Sequence, residues 1–157
     1  MIDNNQVELK DRAKRIIELA ADHYKKKYQK SDALYLVLKA QTARRILNSI
    51  RPDKADLYAL SFEAKEKGLS ELELSKRIKE AEDNYTIKIG IINTALRRTR
   101  KRIDETTDLK ESEINSFKYE MQNYIEKNLY FAEEKKRKKK KTVLSIVKRK
   151  LGFNPSI

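Results

Sequence analysis

Cysteine and tryptophan are absent from this chain, and its 157 residues include only three glycines, two prolines and one histidine. Without cysteine there is no disulfide framework and no thiolate metal site, which fits a reducing, cytoplasmic setting. A single histidine, His23, excludes a paired-imidazole metal site, and its place on a helix beside Tyr24 reads as packing rather than catalysis. So few turn-formers cannot punctuate the many short strands of a sandwich or barrel. None of Gly68, Gly90 and Gly152 lies in a phosphate-cradling motif. No apolar run approaches the ~20 residues of a membrane span, and Met1 to Gln6 lacks the basic and apolar regions of a signal peptide. These absences argue against an enzyme and imply no cofactor.

The most lopsided absence is of acid at one end. Residues 135–157 contain ten Lys/Arg and no Asp or Glu, so +10 of the formal +13 falls there. Residues 1–134 balance 27 basic against 24 acidic side chains. Within that near-neutral body Arg97, Arg98, Arg100, Lys101 and Arg102 form a second basic cluster. Cations concentrated in this way draw a polyanion, either nucleic acid or an anionic membrane surface.

What is abundant is helical periodicity. Leu9, Ala13, Ile16, Ile17, Ala20, Tyr24 and Tyr28 form one stripe, ended by Lys25-Lys26-Lys27. Ser31 and Asp32 are candidate caps for a second helix with Leu36, Ala40, Ala43, Leu47 and Ile50 inward, stopped by Arg51-Pro52-Asp53. A third helix over 54–67 carries Leu57, Leu60 and Ala64, with Gly68 closing it. Ser70 and Glu73 make a capping box for the longest pattern: Leu74, Ile78, Ala81, Tyr85, Ile89, Ile92, Leu96, Thr99, Ile103. Thr106-Thr107-Asp108 offers a break and a new cap before Ile114, Phe117, Met121, Tyr124, Ile125, Leu129 and Phe131. The spacing predicts an all-α bundle of about five helices, with a long antiparallel hairpin over about 70–105 and 109–135 and a basic amphipathic tail. The implied domains are a bundle over 1–134 and the tail over 135–157.

Residues 54–103, with Leu69-Ser70-Glu71-Leu72-Glu73-Leu74-Ser75-Lys76-Arg77-Ile78 and an arginine-rich end, resemble the opening of a helix-turn-helix or winged-helix DNA-binding domain. The resemblance implies a recognition helix over 86–102. Against it stand Lys79 where the tight turn commonly has glycine and an apolar stripe that runs unbroken through Asp83-Asn84.

Candidate sites follow from charge. Arg97, Arg98, Arg100, Lys101 and Arg102 repel one another on neighbouring turns, so either a phosphate partner or nearby acids such as Asp104, Glu105 and Asp108 must compensate. In the tail, Lys135, Lys136, Arg137, Lys138, Lys139, Lys140, Lys141, Lys148, Arg149 and Lys150 suit phosphate neutralisation on DNA or RNA. For a membrane, Val143, Leu144, Val147 and Leu151 share a helical face beside those cations, and Phe153 adds an apolar end. Tyr24, Tyr28, Tyr119 and Tyr130 are candidate base-stacking groups. The wide apolar face of 33–50 leaves a protein partner or homo-oligomer open. Asp104, Glu105, Asp108 and Glu111 read as a solvated turn in preference to a cation site.

Overall fold

The computed structural model describes residues 4–29 and 33–150, which form five α-helices and no strand. These are α1 (Asn4–Tyr28), α2 (Ala33–Leu47), α3 (Lys54–Glu66), α4 (Glu71–Glu105) and α5 (Ile114–Lys150), with a short 3₁₀ turn at Glu111–Glu113 before α5. The expected caps Ser31 and Asp32 lie outside the described residues. The all-α bundle and its hairpin are therefore present. The segment over 85–92, rich in isoleucine, is helical despite its β-propensity, because its flanks hold the helical phase. Since α4 is unbroken from Glu71 to Glu105, no helix-turn-helix forms there.

The chain divides into two compact units, residues 1–20 with 91–157 and residues 21–90. In the first, Ala13 and Ile17 of α1, Ile92, Ala95 and Ile103 of α4, and Ile114, Phe117, Met121 and Ile125 of α5 are buried. Returns every three or four residues put these side chains on one face of each helix, so burial of the stripe drives association. Partner numbers along the hairpin run in opposite senses, Arg102 with Glu120 and Arg98 with Tyr124, as an antiparallel pair requires. On α1 the same reversal links Glu18 to Arg100 and Lys14 to Asp104.

The turn between α4 and α5 is tied down by a residue far away in sequence. The Gln6 side-chain amide donates to the Leu109 carbonyl at 3.1 Å and accepts from the Leu109 N–H at 2.9 Å, while Leu109 itself is 1% exposed. Thr106-Thr107-Asp108 does break the helix, but it does not cap the next one. That role passes to Lys110, whose backbone N–H donates to the Glu113 carboxylate at 2.9 Å.

In the second unit, small and branched residues make the core: Ala40 and Ala43 of α2, Leu60 and Ala64 of α3, Leu74 and Ile78 of α4. The stripe expected along α4 opens here. Ala81 and Tyr85 are exposed, and half-buried Glu82, one turn after Ile78, instead meets Arg44 of α2. The predicted inner face of α2 is likewise narrower, since Leu36 and Ile50 are exposed. The Ser70–Glu73 capping box is formed, with the Glu73 N–H donating to Ser70 Oγ at 3.2 Å and the Ser70 N–H donating to the Glu73 carboxylate at 3.0 Å. That backbone hydrogen bond, followed by one from the Ser70 hydroxyl, holds the Glu73 carboxyl below its ordinary pKa.

Two helices of this unit end in the same motif with different residues in the critical seat. At α3, the Leu69 N–H reaches the Ala64 carbonyl at 2.9 Å and the Gly68 N–H reaches Lys65 at 3.0 Å, with Gly68 at φ +63°. At α2, the Ile50 N–H reaches Arg45 at 2.7 Å and the Ser49 N–H reaches Ile46 at 3.1 Å, with Ser49 at φ 58°. Both are Schellman closures, which need a left-handed residue. Helix α2 thus stops at Leu47, before Pro52 can act on it.

Candidate functional site

The two basic clusters meet different fates. On α4, four of the five cations are engaged in packing or pairing. Arg100 pairs with Glu18 of α1 and Arg102 with Glu120 of α5. Arg98 lies over the Tyr124 ring at 4.8 Å and Arg102 over Phe117 at 5.7 Å, each a cation–π contact joining α4 to α5. Lys101 reaches Glu105 at 3.6 Å on its own helix. Arg97 is exposed and has no ion-pair partner among the described residues. The compensation for like-charge repulsion therefore comes mainly from neighbouring helices, and of the three nearby acids only Glu105 contributes. The Asp104 carboxylate goes to Lys14 at 2.6 Å while its carbonyl accepts from Lys10, and Glu111 goes to Arg12 at 2.5 Å. Among the described residues no group of three or more acidic or histidine side chains is placed to hold a metal ion.

On α5 the geometry is the opposite. Leu129 is the last buried residue among those described, yet the helical backbone continues without a break to Lys150. Lys135, Arg137, Lys138, Lys139, Lys140 and Lys141 are exposed and Lys136 is half-buried. Lys138 approaches Glu134, one turn back, at 3.9 Å. Past the lysines, Val143, Leu144 and Ile146 are exposed too, while Thr142 Oγ1 donates to the Lys138 carbonyl within the helix. The side chains of Val147, Lys148, Arg149 and Lys150, and all of Leu151 and Phe153, lie outside what is described.

Two aromatic residues stand at the root of this segment. Tyr130 is 63% exposed and Phe131 47%, packed edge to face with ring centroids 6.0 Å apart. The sequence pattern places Phe131 in the core stripe, but its exposure shows that the stripe ends before it. Of the other tyrosines considered for stacking, Tyr119 is exposed, whereas Tyr24 and Tyr28 are half-buried and Lys88 lies over the Tyr28 ring at 4.5 Å. His23 is exposed, edge-on to Tyr24.

The second unit holds a shallow recess between α2 and α3, lined by Lys39, Tyr58, Phe62, Glu63 and Glu66. Its central carboxylate is already engaged: Glu63 binds Lys39 and also Lys67 at 2.5 Å. Burial alone would raise the Glu63 pKa, but the hydrogen bonds and charges of Lys39 and Lys67 outweigh it and hold the carboxyl below its ordinary value. No described helix is long and apolar enough to cross a membrane. Comparison with protein-family models, with curated proteins and with solved structures found no match.

Proposed function

We propose that this is a non-enzymatic, nucleic-acid-binding helical protein, a structural subunit or accessory factor of a nucleoprotein assembly. Its contacts go mainly to phosphates. One observation carries the reading: α5 runs past Leu129, its last buried described residue, as a helix whose cations Lys135 to Lys141 are almost all exposed. Cations carried beyond the packed part of a helix can displace counterions from a phosphate backbone while the bundle keeps its own contacts. The α4 arginines play a lesser part, since most already serve between helices.

Mixed-sequence DNA and RNA probes at two salt concentrations test this. Replacing all seven cations from Lys135 to Lys141 by glutamine should lower affinity about a hundredfold or more, because every lost contact removes one released counterion. Undiminished binding by that variant would refute the role of α5. A second reading, attachment to an anionic membrane surface, draws on the exposed Val143, Leu144 and Ile146 beside the same cations. Co-sedimentation with anionic vesicles, with no affinity for nucleic acid, would favour it.

A further inference from the structure

We infer that the basic segment of α5 enters the major groove of B-form duplex DNA as a preformed helix, reading charge and groove shape rather than sequence. This rests on the nucleic-acid reading above and narrows it to one kind of nucleic acid.

The first argument is angular. Successive helical residues step by about 100°, so the seven consecutive cations from Lys135 to Lys141 sweep more than a full circuit of the helix. A helix lying flat on lipid needs an apolar face, and this stretch contains no apolar residue. A groove about 12 Å wide and 8.5 Å deep takes in most of the helix, with phosphates along both walls and the N7 and O6 acceptors of guanine on its floor, so all but the outward azimuth find a negative or acceptor group.

Size supplies the second argument. An α-helix with its side chains is about 10–12 Å across, and the B-DNA major groove is about 12 Å wide. The major groove of A-form RNA is deep and narrow and closes to such a helix. The seven residues 135 to 141 span about 10 Å at 1.5 Å each, well under one turn of the duplex.

Preorganisation is the third. The basic segment continues a helix fixed by Ile114, Phe117, Met121, Ile125 and Leu129, so its ordering is not left to the moment of binding. Only Arg137 in this run has the forked donor set that discriminates guanine, while lysines act as point charges, which suits sequence-independent binding.

The full-length protein is titrated by fluorescence anisotropy against a 24-base-pair mixed-sequence DNA duplex, the same sequence as an RNA duplex, the single DNA strand, and phosphatidylserine-containing vesicles. The DNA duplex should bind at least tenfold more tightly than the RNA duplex or the single strand, with a logarithmic salt slope near −4.5, as about five phosphate contacts give. The major-groove ligand methyl green should displace the protein, and the minor-groove ligand distamycin should not. Lys138→Pro breaks the helix and removes one charge, whereas Lys138→Gln removes the charge alone. The proline variant should bind DNA at least tenfold more weakly than the glutamine variant. Equal affinity for DNA and RNA duplexes, preference for the single strand, competition by distamycin instead of methyl green, or equal binding by the two Lys138 variants overturns groove insertion while leaving nucleic-acid binding intact. Failure to bind any nucleic acid, with or without vesicle binding, overturns the parent reading as well.

Discussion

Five cations in six positions on α4 and seven in a row on α5 look alike as text, yet they occupy opposite physical situations. The α4 group lies where three helices meet, and three of its four guanidinium groups, those of Arg98, Arg100 and Arg102, are held by Glu18, Glu120, Tyr124 and Phe117. The α5 group follows Leu129, the last buried residue among those described, and all of it but half-buried Lys136 is exposed. Local density of charge therefore does not decide availability. What decides it is whether neighbouring helices supply acids and rings at the matching height. An arginine already bound to a carboxylate must give up that contact before it can bind a phosphate, and an exposed lysine has less to surrender.

The sharpest way to break this contrast is to remove a packing arginine. Arg102→Ala loses both the Glu120 ion pair and the contact over Phe117, and should cost about 1–2 kcal/mol of stability, summing an exposed pair and a cation–π contact. DNA affinity should change by less than about threefold, since one phosphate contact at most is lost. Denaturant unfolding and anisotropy measured on the same sample check both halves. A large loss of affinity with unchanged stability would reverse the roles assigned to the two clusters.

Acid offers a second separation, because the packing charges include carboxylates and the α5 run does not. With its pKa depressed in the folded state, Glu63 contributes stability that is fully present above the unfolded carboxyl value, 4.5, and is lost as pH falls through the lower folded value. The Lys39–Glu63 pair has side-chain exposures of 15% and 18%, so Glu63→Gln should cost about 1 kcal/mol at pH 7, the upper end for a surface pair. The difference between variant and parent should shrink as pH falls below the unfolded carboxyl value. The α5 run from 135 to 141 contains no carboxylate of its own to protonate over this range. A variant that tracked the parent at every pH would show that Lys39 and Lys67 do nothing for the fold.

Much of this molecule is legible from spacing alone. The stripes at Ala13 and Ile17 and at Phe117, Met121 and Ile125 are buried as their periodicity demands, and Ser70 with Glu73 is a cap whose partners lie three residues apart. Signals that depend on distant partners are not legible. Nothing near Arg100 or Arg102 points to Glu18 or Glu120, and the acids closest in sequence, Asp104 and Glu105, pair with Lys14 and Lys101 instead. Gln6 fastening Leu109 is equally silent, since any glutamine on a helix reads the same in sequence. Spacing also suggests that α5 stops near 135, because a lysine run resembles a solvated tail. Lysine, however, is a good helix former, and a helix already nucleated by a packed stripe continues through it.

The smallest effects test the two Schellman ends of the unit that does not carry α5. Gly68 sits at φ +63°, and a methyl group placed on its Cα would have no neighbouring atom within 4 Å. Gly68→Ala therefore meets no clash and costs only the left-handed backbone penalty, about 1 kcal/mol. Ser49 already bears that strain at φ 58°. Ser49→Gly should relieve it, and the greater freedom of glycine in the unfolded chain should return part of the gain, leaving about 0.5 kcal/mol of added stability. The sign of the pair is the test: one substitution toward a side chain destabilises, and one away from it stabilises, at the same seat of the same motif. Because neither touches a basic cluster, DNA affinity should be identical in both variants. If Ser49→Gly instead lowers stability, the serine hydroxyl contributes to the closure in a way that outweighs its backbone strain, and the equivalence of the two helix ends fails.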